Sequence, residues 1–111
     1  MFIRIYSGKD GKSHFEERKI PATPDGKPLL QSAKSISFHT QAPGTLVDFH
    51  TVSEKAYYIT LSGQGEVSNG LGEKYLLGPG DMSLCEDLTG QGHSMHIIGT
   101  VPRLFARVVL G

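Results

Sequence analysis

Residues 78–93 read Gly78-Pro-Gly-Asp-Met-Ser-Leu-Cys-Glu-Asp-Leu-Thr-Gly-Gln-Gly-His93. Pro presets one backbone angle and Gly reaches angles closed to other residues, so Gly78 to Asp81 is a turn. The turn launches a short apolar strand, Met82 to Cys85. A Gly-rich loop follows and delivers His93 to the start of another strand, His93 to Ile98. A second histidine, His50, ends an earlier strand-like run from Thr45. Two strand-borne histidines this far apart in sequence suggest a shared pocket.

The same rhythm extends in both directions. Phe2 to Ser7 alternates apolar and polar residues, and Gly8 to Lys12 is a turn cluster. His14 to Ile20 reads as a second, exposed strand. Residues 21–28 hold three prolines and Asp25-Gly26, which makes an irregular loop. Leu29 to Ser35 has room for one short helical turn. Lys34 to Thr40, Thr45 to Thr51, Ala56 to Leu61, Tyr75 to Leu77 and Leu104 to Leu110 complete the strand pattern. Ser62 to Gly65 and Ser68 to Gly72 read as hairpin turns. Short strands between regularly spaced turn signals predict an all-β sandwich or barrel. No internal repeat, linker or low-complexity tract interrupts them.

Size and charge narrow the function. A chain of 111 residues fits one domain. Eleven basic and eleven acidic side chains balance, which gives no electrostatic reason to expect nucleic acid or an anionic membrane. One cysteine, Cys85, excludes an intramolecular disulfide and favours a reducing, cytoplasmic setting. The apolar run at residues 1–7 is too short for a signal peptide, and no stretch has transmembrane length.

The motifs resemble those of the cupins, which fold as a double-stranded β-helix, or jelly-roll barrel. The first cupin motif is Gly, five residues, His-x-His, three or four residues, Glu, six residues, Gly. Gly44 and His50 keep its separation, and Tyr57 to Gly63 resembles its closing strand and turn. In the second motif, Gly80-Asp81 opens the strand and His93 resembles the ligand histidine. The stretch from Gly78 to His93 is similar to one in a subgroup of small bacterial single-domain cupins, many without an assigned activity. The resemblance spans about residues 34–110 and implies one domain over 1–111, with residues 1–33 supplying N-terminal strands and a loop. Cupin metal sites usually take three histidines and a carboxylate. Here Val52 replaces the second histidine of His-x-His, and Ala56 stands where the glutamate belongs. Only His50 and His93 carry over as metal ligands, so a divalent metal (Fe, Mn, Ni or Zn) would be held by a reduced set.

The expected pocket holds a small polar organic ligand, with His50 and His93 at its centre. Metal binding, acid/base work and simple hydrogen bonding are all open to the two imidazoles. Tyr58 and Thr60 share the face of Ala56 by strand period, and Glu86 at a strand end is the carboxylate placed to join them. His96, three residues past His93, is expected on the opposite face. Asp48 shares a face with His50 and could set its tautomer. Cys85 reads as a buried structural thiol, because no helix N-terminus or basic neighbour near it would lower its pKa. His14 and His39 read as surface residues. Two function classes stay open: a metal-free lyase or isomerase or a metal-dependent cupin enzyme of dioxygenase or isomerase type, and a binding module without turnover. A homodimer is expected, since the apolar strand at Phe2 to Ser7 precedes the barrel motifs and jelly-roll edges need covering.

Overall fold

The computed structural model describes all 111 residues, in ten strands and no helix. The strands are β1 (Phe2–Ser7), β2 (Ser13–Glu17), β3 (Ala33–Gln41), β4 (Leu46–His50) and β5 (Ala56–Ser62), then β6 (Gln64–Ser68), β7 (Lys74–Leu77), β8 (Met82–Glu86), β9 (His93–Ile98) and β10 (Arg103–Leu110). They form a six-stranded sheet, ordered β2-β1-β8-β5-β10-β3, and a four-stranded sheet, ordered β4-β9-β6-β7. No helix is long and apolar enough to cross a membrane. The all-β jelly-roll expectation holds.

Strand alternation decides what each sheet turns inward. Ile3 and Ile5 of β1, Cys85 of β8, Val67 of β6 and Leu77 of β7 form the buried core between the sheets, together with Val52. The opposite face of the larger sheet carries a second cluster, Phe2, Tyr57 and Leu84, with Ile59, Met82, Val108 and Leu110 packed on it. Val52 and Ala56 are both buried, 7% and 0% exposed, so the two positions that depart from the cupin ligand set are filled by core packing.

Several elements differ from the sequence reading. β1 is an interior strand, antiparallel to β2 and parallel to β8, so it is held within its own chain. β2 ends at Glu17, three residues earlier than expected, and Leu29 to Ser35 forms no helical turn. Ser62 to Gly65 is a corner and not a hairpin, because β5 and β6 belong to different sheets. Gly63 alone separates them, at φ 74°, and a side chain there would run into the Pro102 carbonyl. The chain can change sheets in one residue because glycine tolerates both the angle and the contact. The expected hairpin at Ser68 to Gly72 does join two antiparallel strands, β6 and β7.

Candidate binding pocket inside the barrel

A cavity of ≈ 60 Å³ opens between the sheets. Val47, Val67, Met95, Ile5 and Phe105 supply apolar wall. His50, His93, Tyr58, Ser83, Gln41 and Arg103 supply polar groups. One water needs about 10–15 Å³ on this measure, so the cavity admits roughly four to six non-hydrogen atoms.

The two histidines come together because β4 and β9 are antiparallel neighbours with His50 opposite His93. Their ring centroids lie 4.7 Å apart, with the planes tilted by 58°. Gly92 makes this approach possible. It sits at φ 78°, and a Cβ there would collide with the His50 carbonyl oxygen. The Gly-rich loop ahead of His93 therefore lets the end of β4 close onto the start of β9.

Each imidazole is tied down by Nδ1. His50 Nδ1 lies 2.8 Å from the Asp48 carbonyl oxygen. A carbonyl only accepts, so Nδ1 carries the hydrogen and Nε2 is left as the acceptor of the neutral ring. The Asp48 contact to His50 is thus made by backbone. Its carboxylate instead accepts from the Phe49 N–H. His93 Nδ1 lies 2.6 Å from Asp87 Oδ2, and Ser13 Oγ donates to that same oxygen at 2.7 Å. Asp87 has no exposed surface and His93 is 5% exposed. Asp87 Oδ1 is buried with no hydrogen-bond partner. A carboxylate held on Nδ1 fixes the tautomer and the orientation of the ring.

Tyr58 lines the cavity, and its hydroxyl accepts a hydrogen bond of 3.1 Å from Arg107 Nε. Burial raises its pKa above the usual phenol value, although the Arg107 bond opposes this. Thr60, fully buried, accepts from Arg103 Nε at 3.2 Å and Nη2 at 2.9 Å. Cys85 also lines the cavity, where burial pushes its thiol up to about 12. It is a neutral wall group, in keeping with the structural reading. His96 is exposed on the outer face of β9. His14 is partly buried beside Asp10, and His39 is exposed, stacked on Phe105 at 5.0 Å.

Glu86 needs correction as a pocket residue. In β8 Ser83 and Cys85 face the cavity, so Leu84 and Glu86 face outward. Glu86 pairs there with Arg4 at 2.8 Å and Lys55 at 3.3 Å. The carboxylate that reaches His93 is Asp87, one residue on. Strand alternation carried one step past β8 puts Asp87 on the Cys85 side, a signal the sequence did contain. Arg103 was missed as well, since an arginine opening a final strand reads as a surface residue.

A metal ion fits these donors poorly. No group of three His, Cys, Asp or Glu side chains converges anywhere in the molecule. His50 and His93 offer two nitrogens, where tightly held metals take three or more protein ligands.

No family model matches the sequence, and no curated protein matches it significantly. Solved structures do match the fold. A protein with a double-stranded β-helix domain from Klebsiella pneumoniae is 20% identical, with TM-score 0.56, over 82% of this chain and 83% of its own. A cupin superfamily protein from Desulfitobacterium hafniense is 18% identical, with TM-score 0.54, over 84% and 98%. A cupin-superfamily sugar phosphate isomerase from Silicibacter pomeroyi is 19% identical, with TM-score 0.57, over 92% of this chain and 60% of its own. Two facing sheets, strand order and these neighbours agree on the fold: the chain is built as a double-stranded β-helix, the barrel of the cupin-domain structures it is similar to.

Proposed function

We propose that the barrel binds a small polar organic molecule between His50 and His93, and that His93 exchanges a proton with it. The Asp87–His93 pair carries this reading. A buried carboxylate 2.6 Å from Nδ1 is the arrangement that orients an imidazole and leaves Nε2 free as a base. His50 stands beside it with its own Nε2 free, so one ring can accept a proton while the other holds a polar group of the ligand. The reaction class that needs no more than this is a metal-free isomerisation or lyase step. A binding module without turnover uses the same contacts.

Histidine side-chain NMR on the intact chain tests binding, with small hydroxy acids, keto acids and sugars as probes. The expected result is that some probes shift the ring signals of His50 and His93 and leave exposed His96 in place. Equal shifts at all five histidines, or none at all, would overturn the pocket. Turnover is read as deuterium uptake from heavy water into a bound probe, lost in His93→Gln. The metal-dependent alternative rests on the same two imidazoles. Elemental analysis of protein purified without an affinity tag separates it, since a stoichiometric metal would favour it.

A homodimer is also part of this proposal. The outer face of the six-stranded sheet runs from the covered Phe2–Tyr57–Leu84 cluster to Ile36 and Phe38, which are 60% and 65% exposed. Those two residues lie on β3, an edge strand of nine residues hydrogen-bonded on one side only.

A further inference from the structure

Arg103 is 2% exposed, yet its guanidinium has no carboxylate partner. Arg4 and Arg18 each pair with a glutamate, while Arg103 bonds only to neutral oxygens. These are Thr60 Oγ1, reached by Nε and Nη2, and Gln41 Oε1, 3.4 Å from Nη1. A guanidinium carries five N–H donors, so two remain after these three contacts. Its plane is also supported by Phe105, whose ring centroid is 4.5 Å from Cζ. Burying a cation without a counter-charge is costly, so an anion that reached Arg103 would relieve that cost. Arg103 lines the same cavity as His50 and His93.

We propose that Arg103 is the recognition group for a compact organic monocarboxylate, whose carboxylate sits on the guanidinium and whose other end meets the two histidines. This rests on the pocket reading above and names its ligand class. Three observations select that class. The cavity presents one fixed positive charge, which matches one negative charge. Its volume admits roughly four to six non-hydrogen atoms, the size of propionate or pyruvate. Ile5, Val47, Val67, Met95 and Phe105 line it with hydrocarbon and thioether surface, which suits a short carbon skeleton better than an inorganic anion. Burial lowers the Arg103 pKa to about 10, still well above neutral pH, so the group is charged when a ligand arrives. Arginine–carboxylate contacts are charge-assisted and often bidentate, and the Arg103 guanidinium is already out of water before a ligand arrives.

The test compares matched charged and uncharged probes on the intact chain: propionate against propionamide, and pyruvate against pyruvamide, with inorganic phosphate and chloride as controls. Binding is followed at the ring signals of His50 and His93 and at the Arg103 Nε–H signal. The expected result is at least tenfold tighter binding of each carboxylate than of its amide, with a shift at Arg103. Arg103→Gln should reduce that preference to less than threefold. If this variant does not fold, the wild-type preference and the Arg103 signal still decide. Amides that bind as well as the carboxylates, or phosphate or chloride binding as tightly, would overturn the assignment to Arg103 while leaving the histidine pocket standing. If no probe moves either imidazole, the pocket reading fails and this one with it.

Discussion

Asp87 joins three strands' worth of structure through one oxygen: Ser13 from β2, His93 from β9, and its own position just past β8. Truncation leaves a buried hydroxyl and a buried imidazole without their acceptor. Asp87→Ala should therefore cost about 3 kcal/mol, read by urea unfolding. Asp87→Asn keeps the volume and an accepting oxygen, and should cost less. Cys85 gives a second, pH-dependent expectation. Its folded pKa of about 12 lies above the ordinary thiol value of 9.0, so the unfolded chain loses the proton first. The stabilisation is complete below about pH 9 and is lost as pH rises towards 12. Cys85→Ala should show a shallower decline in stability over that range, and the native thiol should resist iodoacetamide at pH 8. At this scale His50 and His93 were legible because spacing from Gly44 and Gly80 marks them. Asp87 was legible only by carrying alternation one step past the end of β8, and Arg103 was not, because its role depends on which face a residue takes at the start of a strand.

The element that makes the site is the junction of β4 and β9. Gly92 combines a left-handed backbone angle with contact against the His50 backbone, so Gly92→Ala meets two penalties at once. We expect it to lower stability by at least about 2 kcal/mol. Thermal unfolding measures that loss. The His50 and His93 ring signals should move together, since the substitution pushes apart the strands that carry them. Unchanged stability and unchanged signals would mean the strands can approach without glycine. Most strands were legible from alternation and turn residues, and β1 and β9 lie where the pattern put them. The corner at Gly63 was not, because a Gly-rich turn looks the same whether the next strand pairs with the last one or crosses to another sheet. Only long-range pairing, here β6 with β9 and β5 with β10, decides that.

At the scale of the whole molecule, the open question is what meets the outer face of the larger sheet. Tyr57 on this face is already tied to Gln31 through its hydroxyl, so the segment leading into β3 covers part of it. Ile36 and Phe38 lie beyond that cover, paired across the strand with Val108 and Ala106 of β10. Exposed apolar side chains next to an unpaired nine-residue edge invite association, and in a chain with no net charge little repulsion opposes it. In a dimer with twofold symmetry the same edge and the same two side chains would meet their equivalents. Sedimentation at micromolar concentration should give twice the 12.0 kDa chain mass. The pair Ile36→Lys and Phe38→Glu, both at exposed sites, should return the mass to one chain without changing the circular dichroism. Wild-type protein sedimenting near 12.0 kDa would remove the dimer. A dimer that survives both substitutions would place the contact elsewhere. Deleting residues 1–7 is the wrong test, because β1 sits between β2 and β8 and carries core residues Ile3 and Ile5. That deletion should unfold the barrel whatever its oligomeric state.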